Sequence, residues 1–513
     1  MAASPRKVLF LSSSDYGQAN VVLATTHAML HAAPDVEVHI ASQGRMEDAV
    51  RRIHEPLSPD SPPLKPAHWH LLAGLSQFDA MNREGNPAMT AYDLPPGLLN
   101  TCRTLLSFSG LLRPWSPEEF VEIYRDMQRI YDEVKPDVVV VDDLFPVALT
   151  WANSANVNWI VLAPNVIKDF AAVVQPNLAV LWKYPVISSA IPYPIPWHLR
   201  PLNVIFNLVF AFGIMTNKGK GRLQDHLHKE LGPVKLMELS DLGILTPPPE
   251  GVRVLVANSP DIDFHFDSIP EYTTACGPII RAAAPIATVD PEMAAWLRRG
   301  PTIYINLGTH IEYDLERAKE MAYALREFLD RAAEAGFVGE DKFQILWKMP
   351  RLLEEGDGED QTKFDGRWME FTDILLNELI EDRARITHWF TAEPKSILES
   401  GHVVCSVHHG GSNSFHEALC AGIPQLTLPA WYDCYDFGWR AELLGIGRLA
   451  NKKTQAYVNR RELAGYLEEV VIGTKAEEFR QKAKAVSKRH PEREGRENAA
   501  KEILALIKDR KTP

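Results

Sequence analysis

Short apolar runs alternate with longer amphipathic stretches along the whole chain, the pattern of parallel strands covered on both faces by helices. Residues 7–11, 36–41, 137–141, 159–162 and 252–257 form one series of buried-strand candidates, and 302–307, 343–347, 403–407 and 425–428 form a second. Between them, Ser116-Pro117-Glu118-Glu119 reads as a helix start, a capping box with proline at the first helical position. The helix it opens carries Phe120, Ile123, Met127, Ile130 and Tyr131 at helical spacing.

The two series open alike. Residues 7–11 lead through a polar turn with Gly17 into a helix bearing Val21, Val22, Ala24 and Met29, and 302–307 lead through Gly308 and Thr309 into a helix over 318–329. Each is the strand, glycine-bearing turn and helix that begins a Rossmann-like unit. The expected fold class is α/β, with two Rossmann-like domains facing across a cleft. At 513 residues the chain also exceeds what one core serves. Pro260, Pro270, Pro278, Pro285 and Pro291 break the pattern between 258 and 300, which sets the expected domains at 1–272 and 273–490. A terminal amphipathic helix with Ile503, Leu504 and Ile507 follows within 491–513.

Composition narrows the partners. Sixty-seven acidic against 54 basic residues give a net charge of -13, which repels phosphate backbones and anionic headgroups and counts against nucleic acid or a membrane surface as main partner. The five cysteines are scattered without a CxxC pair, which fits a reducing, cytoplasmic setting and excludes a disulfide framework. The longest apolar run, 202–215, is interrupted by Asn203 and Asn207 and falls short of a bilayer span, so it is expected as a buried or substrate-lining helix. Proline-rich stretches at 55–66 and 185–201 are candidates for shaping an acceptor pocket, with plain surface insertion the alternative for 55–66, and the acidic stretch 354–368 reads as a solvated loop.

The segment 403–422 carries the most chemistry. A buried strand ends at Val407, Gly410 and Gly411 let the backbone turn closely, and a helix begins around 412–414. The free N–H groups of a first helical turn, with the helix dipole, make an anion site. His409 adds a donor, Asn413 and Ser414 reach phosphate oxygens, and Glu417 lies one turn along, where a carboxylate accepts hydrogen bonds from ribose hydroxyls. Ser414-Phe415-His416-Glu417 is also a capping box, which would account for serine and glutamate without a ligand.

Over residues 389–447 the sequence resembles the donor-binding signature of the UDP-dependent glycosyltransferases of family 1, enzymes of GT-B architecture, in the fungal branch that modifies secondary metabolites. The likeness rests on His409-x-Gly411-x-Asn413-Ser414-x-x-Glu417-Ala418, Gly422-Ile423-Pro424, Pro429-x-x-x-Asp433 and Gly445-Ile446-Gly447. It implies that 1–272 binds the acceptor, that 273–490 binds the nucleotide sugar, and that the terminal helix returns to the first domain. It implies His409, Asn413 and Ser414 on the diphosphate, with Ser412 lending its backbone N–H where the family often has tryptophan. Glu417 would bind ribose, Asp433 the sugar hydroxyls, and Thr309 the phosphates unless it caps the following helix. Trp389 or Phe390 would stack on uracil, in an element two residues longer than the family spacing. Cys434 replaces a family glutamine, which bears on sugar selectivity.

The family's general base is a histidine in a Gly-His pair, but this chain has Gly17-Gln18. A neutral amide accepts no proton at physiological pH, so Gln18 cannot be the base. The aspartate that orients that histidine is retained as Asp142. Asp15 is the nearest carboxylate and the candidate base, provided burial raises its pKa. His27, inside the first helix, is the other candidate. The implied reaction is inverting transfer of a sugar, glucose or xylose, from a UDP-sugar to a hydroxyl of a small apolar metabolite such as a terpenoid or phenolic. The donor is a substrate, and neither cofactor nor metal is expected. Gln18 leaves open a nucleotide-sugar-binding protein impaired in catalysis, and the architecture leaves open a sugar-nucleotide epimerase.

Overall fold

The computed structural model describes residues 6–58, 64–90, 94–339, 342–354, 357–358, 360–361, 363–454 and 456–509. The stretches 55–66 and 354–368 and the end of the tail lie partly outside the described residues. Two sheets, parallel throughout, organise the chain. The first holds β1 (Arg6–Leu11), β2 (Val36–Ser42), β3 (His68–Leu71), β4 (Val138–Asp142), β5 (Trp159–Ala163), β6 (Val254–Val256) and β7 (Thr273–Ala275), in the order β3-β2-β1-β4-β5-β6-β7. The second holds β8 (Thr302–Asn306), β9 (Gln344–Lys348), β10 (Ala384–Thr387), β11 (Val403–His408), β12 (Gln425–Thr427) and β13 (Gly447–Leu449), in the order β10-β9-β8-β11-β12-β13.

These orders fix the functional edge. Strand succession reverses direction between β1 and β4 in one sheet and between β8 and β11 in the other, and open parallel sheets bind ligands at the carboxyl ends of such switch points. Ser12–Gln18 and Asp142 stand at the first, and Gly308–His310 and His409–Ser414 stand at the second.

Four strands escaped the sequence pattern: β3, β7, β10 and β13. All four are sheet edges of three or four residues. Edge strands lack the continuous apolar run that double-sided burial imposes on β4, whose five residues are all buried. The capping box at Ser116 forms in full and starts the helix Pro117–Val134. The terminal helix Glu494–Asp509 packs Ala499, Ala500 and Ile503 against Val21, Ala24 and Ala28 of the helix Tyr16–Ala32.

The apolar run at 202–215 departs from expectation. It forms the helix Arg200–Met215, of which only Asn203, Phe206 and Ile214 are buried. Its asparagines bond to backbone inside the protein, so the polar groups that interrupt the run are the ones turned inwards.

Candidate active site

At the second switch point β11 delivers His408 and His409 into a turn, and the helix Ser412–Cys420 begins behind Gly411. Gly410 takes a φ of +87°, and a methyl group there would stand 2.6 Å from the Cys434 carbonyl oxygen. The His409 ring is clamped: side chains at Gly308 and Gly411 would meet it at 2.7 Å and 2.3 Å, and the Trp431 ring centre lies 5.8 Å away. Burial, with His408, His310 and Lys348 nearby, pushes His409 down to about 3, so the ring is neutral. Its Nδ1 is buried without a hydrogen-bond partner.

Asn413 reaches across to the other domain, its Nδ2 donating to the carbonyls of Tyr16 (3.1 Å) and Gly17 (3.3 Å). The Ser412 hydroxyl donates to the Pro164 carbonyl at 2.6 Å, which leaves its backbone N–H, not its side chain, for an anion. Ser414 and Glu417 lie inside the helix, whose N-cap is Gly411, so the capping-box alternative does not form. Burial, with Glu393 close by, raises Glu417 to about 8. Thr309 is exposed and caps nothing, because Asp314 caps the following helix Leu315–Glu334 by accepting from the Arg317 N–H at 2.7 Å.

The structure separates the two aromatic candidates. Phe390 packs half-buried against Tyr304, Ala392 and Ile397, with ring centres 5.8 Å apart in the Tyr304 pair. Trp389 is 51% exposed, and the Lys348 ammonium lies 3.5 Å from its ring centre. Asp433 precedes the helix Cys434–Leu443, and burial beside Asp169 and Asp436 raises it to about 7. Cys434 is buried, and desolvation holds its thiol well above the usual range.

At the first switch point, Asp142 accepts from the Ser13 N–H at 3.0 Å, the Ser12 hydroxyl at 3.4 Å and the Leu144 N–H at 2.9 Å. Burial raises it to about 7. Ser13 in turn donates its hydroxyl to Asp15 at 3.1 Å, and the Phe78 N–H donates to the same oxygen at 3.1 Å. Burial raises Asp15 above the usual carboxylate range. The Gln18 Oε1 is buried and unpartnered, and no hydrogen bond joins Gln18 to Asp142. His27 sits elsewhere, 4.7 Å from His31 and close to Arg496 of the terminal helix.

Two residues that sequence reasoning passed over join the cleft. Lys348, closing β9, donates to the Gly308 carbonyl at 2.9 Å, and burial lowers it to about 8. A lone lysine ending an apolar strand was the available signal. His310 stacks on Phe78 across the cleft at 3.8 Å, one residue beyond Thr309. The stretch 185–201 serves two places. Tyr193, Pro194 and Ile195 line a cavity of about 270 Å³ that shares no residue with the His409 turn, whereas Ser188 lines a narrow cleft ending at Trp431.

One further group is metal-capable among the described residues: Glu37, His39 and His68 on β2 and β3. The His39 and His68 rings lie stacked 18° from parallel, and the Lys7 ammonium sits 3.7 Å from Glu37. Parallel rings do not converge their lone pairs on one ion, and the ammonium already neutralises the carboxylate.

Two parallel Rossmann-like sheets, each with its switch point at the carboxyl ends of its strands, give the GT-B architecture. The fold is shared with solved structures. A glycosyltransferase of kitacinnamycin superposes with a TM-score of 0.59 at 15% identity, over 98% of this chain and 99% of that one. UDP-glucose:anthocyanidin 3-O-glucosyltransferase, solved with UDP, gives 0.58 at 15% identity, over 98% of each chain. No family model matches the sequence. Among curated proteins, glycosyltransferase sdnJ of Sordaria araneosa is 34% identical over 470 residues, 88% of this chain and 85% of that protein. UDP-glycosyltransferase stmC of Aspergillus ustus is 29% identical over 188 residues, 36% of this chain and 33% of that protein. The chain belongs to the UDP-glycosyltransferase family, and it is an enzyme that transfers sugar from a UDP-sugar.

Proposed function

We propose that the enzyme transfers glucose or xylose to a hydroxyl of a small apolar metabolite, a terpenoid or phenolic, with inversion at the anomeric carbon and with Asp15 as general base. The observation that carries this reading is the Asn413 bridge to Tyr16 and Gly17, which sets the donor helix start against the loop bearing Asp15. Asp15 takes the proton as the acceptor oxygen attacks the anomeric carbon from the side opposite the diphosphate. The bond from that carbon to the β-phosphate oxygen breaks, and UDP leaves. The first-turn N–H groups of Ser412–Cys420 and the Lys348 ammonium stabilise the charge that develops on it. Asp142 holds the Ser13 backbone N–H and the Ser12 hydroxyl and so acts as a positioning residue for Asp15. Trp389 is the uracil platform, by its exposure, and Glu417 binds ribose once a ligand displaces the cost of its burial.

The acceptor class is supported by the family's solved members, one of which, from Phytolacca americana, was captured with UDP-2-fluoro-glucose and pterostilbene. A cytoplasmic setting goes with the reading, since all five cysteines are free thiols. The test is incubation with UDP-glucose and UDP-xylose against a terpenoid and phenolic panel, with product anomers assigned by NMR. A β-glycoside from an α-donor is the expected product. UDP release without acceptor glycosylation, or a retained anomer, overturns the reading.

A further inference from the structure

A helix on a globular surface normally turns its apolar stripe inwards. The helix Arg200–Met215 is apolar on both sides: Leu202, Phe206, Val209 and Phe210 pack inwards together with two asparagines, and a second apolar stripe faces out. Asn203 accepts from the Val186 N–H at 3.0 Å and donates to the carbonyls of Leu181 and Tyr184 at 2.9 and 2.8 Å. Asn207 donates to the Val180 carbonyl at 3.3 Å. Outward stand Ile205, Leu208, Phe212 and Met215, spaced three and four apart on one face, with Phe212 62% and Met215 77% exposed.

The face continues sideways. Leu106 packs against Gly213, and the helix Leu98–Leu112 adds exposed Leu98 and Leu99. Trp197, 80% exposed, stands at the start of the helical stretch. Contiguous apolar exposure of this kind marks an interaction surface. Its charge leans basic. Neither helix contains an Asp or Glu, although the chain as a whole carries -13; exposed Arg103 and Arg200 lie on them, and the following stretch 218–231 adds exposed Lys218, Arg222 and Lys229 against exposed Asp225 and Glu230.

We propose that this face docks the enzyme on a lipid bilayer, with the helix Arg200–Met215 lying in the plane of the interface and its basic rim on anionic headgroups. The stretch Trp197–Leu231 is long and apolar enough to cross a membrane by length and composition alone. It does not run as one rod: the helix ends at Met215, and Asn217 caps a separate helix, Lys218–Leu231, by accepting from the Lys220 N–H at 3.2 Å. The apolar helix alone spans about 24 Å, short of the roughly 30 Å hydrocarbon core. Asn203 is also fully committed to the protein interior. The element lies on a bilayer and does not pass through it.

On the inner side of Leu98–Leu112, Thr101 and Thr104 line the narrow cleft that ends at Trp431, beside His409. That cleft holds only about 10 Å³, too little for the small apolar acceptor proposed above. The docking itself needs no substrate and stands apart from that reading.

The test floats the full-length protein with vesicles of phosphatidylcholine, with and without phosphatidylserine, and follows tryptophan emission. Flotation is expected, strengthened by phosphatidylserine, weakened by salt, and accompanied by a blue shift. The variant Leu208→Glu/Phe212→Glu is expected to weaken partitioning about tenfold or more. Lys218→Glu/Arg222→Glu is expected to remove the phosphatidylserine dependence. Undiminished UDP binding shows that each variant is folded. No flotation at either composition, or flotation untouched by the double glutamate variant, overturns the proposal. So does a dimer in light scattering that this variant makes monomeric, for then a second copy covers the face.

Discussion

As the base proposed above, Asp15 gains its chemistry from its surroundings. The same carboxyl in water would be too weak a base, but burial raises it while Ser13 and Phe78 keep it oriented. With Asp15 as the proposed base the carboxylate is the active form, so turnover is expected to climb as pH rises through that raised value and then level off. Asp15→Asn is expected to lower kcat about 100-fold or more and to abolish the acid limb, while leaving UDP affinity intact. Steady-state rates across pH check both. Glu417 makes the opposite statement about stability. Its native pKa of about 8 lies above the ordinary carboxylate range. Between that range and pH 8 the folded state holds a proton that the unfolded chain has released, so the ligand-free protein loses stability as pH rises through the window. Glu417→Gln is expected to flatten that slope and raise the melting temperature at pH 8, while weakening UDP binding about 10- to 100-fold. Thermal melts at pH 5 and 8, with calorimetry for UDP, separate the two effects.

Elements turn these residues into a site. The helix Ser412–Cys420 offers its first-turn N–H groups only because Gly410 lets β11 turn against the start of Cys434–Leu443. Gly410→Ala places a methyl group 2.6 Å from a backbone oxygen, at a φ of +87° that a side chain resists. A destabilisation of about 1–3 kcal/mol and a loss of UDP affinity are expected, measured by denaturant unfolding and calorimetry. The turn and helix start at 409–414 were legible in the sequence because glycines, histidine and amide fall at fixed spacing after a buried strand. Lys348 and His310 were not, since neither belongs to a spaced pattern and each meets its partners, Gly308 and Phe78, only through the fold. The edge strands were hidden for a related reason: they owe their pairing to a neighbour and not to their own composition.

The whole molecule is held shut by buried charge. Arg440, from the second domain, donates to Asp263 of the first at 2.8 and 2.6 Å, with both side chains fully buried. Lys168 of the first domain pairs with Asp436 of the second and donates to the Pro185 carbonyl at 3.1 Å. Removing one partner strands a buried charge, so Arg440→Ala is expected to cost about 3–5 kcal/mol, whereas Arg440→Met with Asp263→Leu costs less. Calorimetric scans of the three proteins check this, and in Arg440→Ala the domains are expected to melt separately. None of these pairs was visible in the sequence, since Asp263 and Arg440 lie far apart along it in separate domains.

Taken alone, the sequence determined the alternation of strand and helix, the two Rossmann-like openings, the strand, glycine turn and helix start at 403–420, and the absence of the family's histidine. These are local patterns, written in spacing and side-chain type. The tertiary structure decided which carboxylate is held and raised, which aromatic is left exposed, and which way the apolar helix turns. Those depend on burial and on partners that the fold brings from elsewhere in the chain, such as Phe78 beside Asp15 and Lys348 against Trp389, and local spacing does not encode them.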